Sequence, residues 1–167
     1  MDEKKTFFPR KLGLAPDADG QERQKMMELC LRDVETGVSD FGGRSRIIGL
    51  MHIKYVDCCE AQKSLTMGFP VEEWELNPGN TMHGGMIATA VDSVMGLASH
   101  YFNDCPFTPT ISMDINYIKP VLAGDVLEVT AQVVHSGRRV CFIQAEGRRR
   151  SDGKTAVTAQ GSYMVSE

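Results

Sequence analysis

NPGNTMHGGMIATAVDSVMGLASH, residues 77–100, changes composition twice, and each change has a physical reading. Asn77, Pro78, Gly79 and Asn80 are turn formers, whereas from His83 onward Gly, Ala, Met, Ile and Val dominate, as in a mostly enclosed helix. The stretch therefore reads as a loop running into a buried helix. Gly84 and Gly85 at the helix start leave backbone N–H groups bare, and together with the positive end of the helix dipole these can hold a developing oxyanion. Asp92 is a carboxylate in mid-helix among apolar neighbours. With Gly84 at the helix start, Asp92 lies about 12 Å further along the axis. One reacting carbonyl cannot meet both groups in a single chain. Asp92 is thus expected to act with Gly84 of a second subunit, which makes the working unit a dimer.

Working outward, Ala18 to Thr36 reads as a helix, with Met26, Met27, Leu29, Cys30, Leu31 and Val34 at helical spacing, closed by Gly37 and Gly42-Gly43. Residues 1–18 read as an irregular arm. From Arg46 to about Val71 the chain looks strand-like: IIGLMHIKYVDCC, a turn around Glu60-Ala61, then SLTMGFPV ending near Pro70. After the central helix, Tyr101 to Pro109 reads as a loop. Extended runs follow at Thr110–Lys119, Asp125–His135, Arg139–Arg149 and Thr155–Val165, separated by Lys119-Pro120 with Gly124, Ser136-Gly137, and Asp152-Gly153. Strand, strand, one long apolar helix and then four strands imply an α+β domain in which a curved antiparallel sheet wraps the helix. An extra N-terminal helix precedes it. The expected division is residues 1–45, arm and helix, and 46–167, the sheet-and-helix domain.

At 167 residues with 42% hydrophobic residues, the chain is long enough for one proper core. A net charge of -4 argues against nucleic acid as a partner, since phosphate neutralisation needs a basic face. The start, MDEKKTFFPRKLG, lacks the apolar core of a signal peptide, and no later segment reads as a membrane span, so a cytoplasmic protein is expected. Cys30, Cys58, Cys59, Cys105 and Cys141 show no ligand spacing. They are expected to be free buried thiols, and no metal is expected.

Asn77, His83-Gly84-Gly85 and Asp92, followed by TISMDINYIKPVLAGD, together resemble the hotdog-fold acyl-CoA thioesterases of the phenylacetic-acid-degradation type, within the 4-hydroxybenzoyl-CoA thioesterase superfamily. The resemblance covers about Ile47 to Val165. It implies hydrolysis of an acyl-CoA to free acid and coenzyme A, with no cofactor, since coenzyme A is part of the substrate. It also implies that the Gly84 amide polarises the thioester carbonyl while Asn77 and His83 position the loop. Asp92 would be general base or nucleophile, and Thr110 falls where relatives place a hydroxyl that helps hold the attacking water. Gly85, Tyr117, Lys119 and Pro120, and the run His135, Ser136, Gly137, Arg138 and Arg139, would line the coenzyme A groove. Self-association as a homodimer, and as a dimer of dimers (a homotetramer), belongs to the same expectation.

Blander readings compete with these. Thr89, Asp92, Ser93, Gly96 and His100 share a helix face, so Asp92 could belong to a solvated stripe. His83 could be a helix-start residue bonded to nearby backbone. Arg138-Arg139 and Arg148-Arg149-Arg150 suit phosphates, yet charge runs are usually solvated. Glu72-Glu73 read as surface and Asp114 as structural. Two other functions fit a hotdog domain: an acyl-CoA sensor, which would need a DNA-binding unit, and a hydratase or dehydratase, which would need a different acid–base motif. Acyl preference would follow from residues such as Met86, Met95, Leu97 and Phe102.

Overall fold

The apolar run that begins at Gly84 produces the element on which the rest of the chain packs. In chain order the elements are α1 (Gly20–Thr36), the single-turn α2 (Ile47–Leu50), β1 (Lys54–Cys59), β2 (Ser64–Pro70), a 3-10 turn (Glu73–Glu75), α3 (Gly84–Asn103), β3 (Thr110–Tyr117), β4 (Val126–Ser136), β5 (Val140–Arg149) and β6 (Thr155–Met164). The computed structural model describes residue 11 and residues 13–37, 46–105 and 107–165. The strands form one six-stranded sheet in the order β1-β2-β4-β5-β6-β3, every neighbouring pair antiparallel. Because α3 intervenes in sequence between β2 and β3, β4 returns to β2 and β3 is left on the far edge beside β6. Leu65, Met67 and Phe69 of β2, Leu127 and Val129 of β4, and Ile143 of β5 face the helix. There they bury Val91, Val94, Met95, Leu97 and Ala98. This is the α+β hotdog arrangement expected from the sequence.

α1 starts where a polar cap allows. Asp19 Oδ1 accepts the N–H groups of Gln21 and Glu22, and the Glu22 carboxylate accepts the Asp19 N–H in return. It ends at Gly37, whose φ of 73° is left-handed. Met27, Cys30, Leu31 and Val34 of this helix are buried in the same core as α3 and the sheet. Gln24 clamps the end of β1, donating to the Cys58 carbonyl (2.8 Å) and accepting the Glu60 N–H (2.8 Å). Lys11 donates to the Tyr101 carbonyl and pairs with Asp104 at 3.6 Å, so a cation sits at the negative end of α3.

Two expected segments fold differently. The run from Ile47 does not open a strand: Ile47–Leu50 forms one helical turn, and the first strand begins only at Lys54. A short apolar run carries too few residues to distinguish the two periods. The turn buries Ile48 and Met51, and His52, at φ 49°, redirects the chain into β1. Tyr101 to Asn103, expected as loop, continue α3 instead. Burial of Tyr101 in the core, its ring edge-on to Phe102, holds this extra turn, and Asp104 at φ 50° ends it. His100 Nδ1 then meets the Cys105 carbonyl at 2.8 Å. Among the described residues the five cysteines form no disulfide; four of them are buried and Cys59 is half-buried. No described helix is long and apolar enough to cross a membrane.

Candidate active site

The loop before α3 is built on Asn77. Its Oδ1 accepts the N–H groups of Gly79 (2.9 Å) and Thr81 (3.3 Å), and its Nδ2 donates to Thr81 Oγ1 (2.9 Å). Asn80 takes φ 57°, a conformation asparagine tolerates better than most residues. The Met82 N–H donates to Val121 and the His83 N–H to the Glu75 carbonyl, each at 2.8 Å, so both sides of the loop are tied to the body.

His83 caps α3. Its Nδ1 accepts the Gly85 N–H at 2.9 Å, which requires an unprotonated Nδ1, and its carbonyl receives Met86 and Ile87. Among the described residues this leaves the Gly84 N–H, at the positive end of the helix, without an acceptor. The Tyr117 phenol donates to the Gly84 carbonyl at 3.0 Å and pins that peptide from the other side. Gly84 borders a cleft of about 370 Å³ lined by Asn77, Thr81, Met82, Ile87, Tyr117, Ile118, Lys119 and Pro120.

Asp92 lies two turns along the same helix, half-buried. Its Oδ1 receives two hydroxyl donors, Thr110 Oγ1 at 2.7 Å from the start of β3 and Tyr163 Oη at 2.8 Å from the end of β6. The two strands deliver them together because Thr110 and Tyr163 are register partners. Burial, then the negative charge of Asp92, push the Tyr163 phenol up, so it stays a proton donor. Of the face that the competing reading makes a solvated stripe, Thr89, Asp92, Ser93 and Gly96 are half-buried, and His100 is enclosed.

One protomer does not unite all the expected residues. Gly84, Tyr117, Lys119 and Pro120 share the cleft, and Asn77 borders it. His135, Ser136, Gly137, Arg138 and Arg139 lie elsewhere: Ser136 bonds to Asn103, the last residue of α3, whereas Gly84 is the first. Those ends are about 28 Å apart at the α-helical rise. The Arg148 run is engaged within the sheet: Arg148 with Glu146, Arg149 with Asp152, and Arg150 with Glu128. Among the described residues no group of three or more His, Cys, Asp and Glu side chains could hold a metal ion.

Two residues escaped the sequence reading. Tyr163 sits in a plain alternating strand and touches Asp92 across a long sequence separation, which no local period reports. Glu75 follows the Glu72-Glu73 pair that reads as surface, yet it is 1% exposed and, among the described residues, its Oε1 has no hydrogen-bond partner. Burial pushes its carboxyl up, while Oε2 accepts the Glu72 N–H at 2.9 Å.

The family model described as "Thioesterase superfamily" matches residues 79–156. "Putative esterase F42H10.6" of Caenorhabditis elegans is 36% identical over 95 residues, which is 57% of this chain and 55% of that protein. The chain thus spans about half the length of this nematode relative. An esterase-described relative from Saccharolobus solfataricus is 30% identical over 58% of this chain and 67% of its own. Human acyl-coenzyme A thioesterase 13 is 26% identical over 137 residues, covering 82% of this chain and 94% of that protein. Among solved structures, zebra fish thioesterase superfamily member 2 superposes with a TM-score of 0.70 at 21% identity, over 86% of this chain and 98% of that one. The smu.793 protein of Streptococcus mutans, solved bound to acetyl CoA, gives 0.61 at 24% identity, over 68% of this chain and 88% of that one.

Proposed function

The chain belongs to the thioesterase superfamily, and from that premise we propose that it hydrolyses acyl-CoA thioesters to a free carboxylic acid and coenzyme A. The observation that carries this reading is a Gly84 N–H at the head of α3 that has no acceptor among the described residues, on the same helix as a hydroxyl-bound carboxylate at Asp92.

In the proposed reaction the Gly84 N–H stabilises the oxyanion that develops on the thioester carbonyl. Asn77 and His83 hold the loop that presents it. With Asp92 as base, water adds to the acyl carbon as its proton passes to the carboxylate, the C–S bond breaks, and that proton goes on to the coenzyme A thiolate. With Asp92 as nucleophile, its oxygen displaces the thiolate to give an acyl-aspartyl anhydride, and water then cleaves the anhydride to free acid and the restored carboxylate. Thr110 orients the carboxylate. Lys119, Tyr117 and Pro120 border the groove for the substrate, with no metal or redox cofactor called for.

The two halves of each site are proposed to come from different subunits. Gly84 and Asp92 are about 12 Å apart on one rigid helix, beyond the span of a single reacting centre. β3 is the last strand of the sheet order and is exposed along most of its length, with Ile111 and Tyr117 each 52% exposed. An edge of that kind favours pairing with another strand. A homodimer, extended to a dimer of dimers, would also let the hairpin at His135–Arg139 approach a cleft it cannot reach in its own chain. A cytoplasmic setting is part of the proposal.

The test is an acyl-CoA panel followed by thiol release, with Asp92→Asn as the paired control. Turnover by the wild type, lost in a folded Asp92→Asn protein, is the expected result. Binding of acyl-CoA without thiol release by the wild type would instead favour a sensing protein.

A further inference from the structure

Resting on the proposed role of Asp92, we propose that Tyr163 is a positioning residue for the hydrolysis: with Thr110 it holds Oδ1 of Asp92, and so makes Oδ2 the reacting oxygen. Three features of the structure support this. First, both hydroxyls converge on the same oxygen, at 2.7 Å and 2.8 Å, while among the described residues none donates to Oδ2. Second, the phenol has a single proton and two acceptors in range, Asp92 Oδ1 at 2.8 Å and the Asp92 carbonyl at 3.3 Å. The shorter, charge-assisted bond takes it.

Third, Tyr163 is rigidly held. It is 1% exposed, its backbone is paired on both sides with Thr110 of β3 and Cys141 of β5, and its ring lies beside Gly96 of α3. A side chain fixed in this way gives the carboxylate a defined rotamer without the entropy cost a surface partner would carry. Thr110 alone could not do this, since it is exposed and a single bond leaves the carboxylate free to turn about it. Tyr163 remains a donor throughout the working range, because burial and the neighbouring negative charge both oppose ionisation of its phenol.

Tyr163→Phe keeps the ring and the strand and removes only the hydroxyl. The expected result is a fall in kcat of about tenfold or more with KM changed less than about twofold, the mark of a lost transition-state contribution. A second readout separates positioning from mere packing. A hydrogen bond donated to a carboxylate favours its ionised form, so the acid limb of the kcat/KM profile should move up by about one pH unit in Tyr163→Phe. Replacing Tyr163 with 3-fluorotyrosine, a stronger donor of nearly the same size, should move that limb the other way. A tyrosine that only fills space would move neither. A folded Tyr163→Phe with wild-type kcat and an unmoved limb, alongside an inactive Asp92→Asn, overturns the proposal and spares the thioesterase reading. An active Asp92→Asn overturns the reading on which it rests.

Discussion

Thr110→Val is the substitution whose consequence the geometry defines most closely. Valine is nearly isosteric with threonine, favours strands equally, and removes one hydroxyl that donates to Asp92 Oδ1 at 2.7 Å. Hydrogen bonds to charged groups contribute about 1.5–3 kcal/mol, and each 1.4 kcal/mol is about tenfold in rate. Tyr163 still binds the same oxygen, so the lower end of that range applies and kcat should fall by about tenfold. Loss of the bond should cost folding no more than about 1.5 kcal/mol, which the urea titration reads separately from kcat. Thr110→Ser keeps the donor and should stay within about threefold of wild type. The assay is steady-state thiol release with a urea titration on each variant. Undiminished kcat in folded Thr110→Val, or an equal loss in Thr110→Ser, would refute the assignment of the hydroxyl.

Glu75→Gln should raise stability at neutral pH, since among the described residues the buried carboxylate has an oxygen without a partner. The folded carboxyl is raised above its unfolded value, so its contribution is full below about pH 4.5 and is lost as pH rises through the folded value. Urea midpoints of wild type and Glu75→Gln across that window check both slope and sign. Leu31→Ala in α1, at a position with no exposure, should cost about 2–5 kcal/mol as any core leucine does. A melting curve within a degree of wild type would show that α1 is not part of the domain's core.

Much of the fold is legible in the sequence because its signals are local and long. The helix bearing Asp92 shows through many apolar positions, and the strands from Thr110 onward are separated by turns whose glycines, Gly124 at φ 80° and Gly153 at φ 68°, adopt left-handed conformations. Failures occur where local signals are short or contacts are distant. Ile47–Leu50 is too brief to reveal its period, and the extra turn of α3 depends on what Tyr101 packs against. At the site, Asn77, His83 and Gly84 are legible because one loop holds them. Tyr163 is not, since its meeting with Asp92 depends on the register of β3 and β6. Glu75 is hidden for the opposite reason: its sequence neighbours are acidic and its burial is tertiary.

The claim that two subunits complete each site is tested most directly by mixing two inactive variants. Gly84 is the first residue of α3, where proline is tolerated, and His83 has the φ -61°, ψ 136° that a following proline requires. Gly84→Pro therefore removes the N–H proposed to bind the oxyanion while leaving the helix able to form; Asp92→Ala removes the carboxylate. In a mixed dimer one site carries both lesions and the other carries neither. Verified heterodimers should recover up to about half the wild-type rate, given independent sites in a two-fold dimer. Heterodimers that stay inactive although both parents fold would contradict a site shared between Gly84 of one chain and Asp92 of the other.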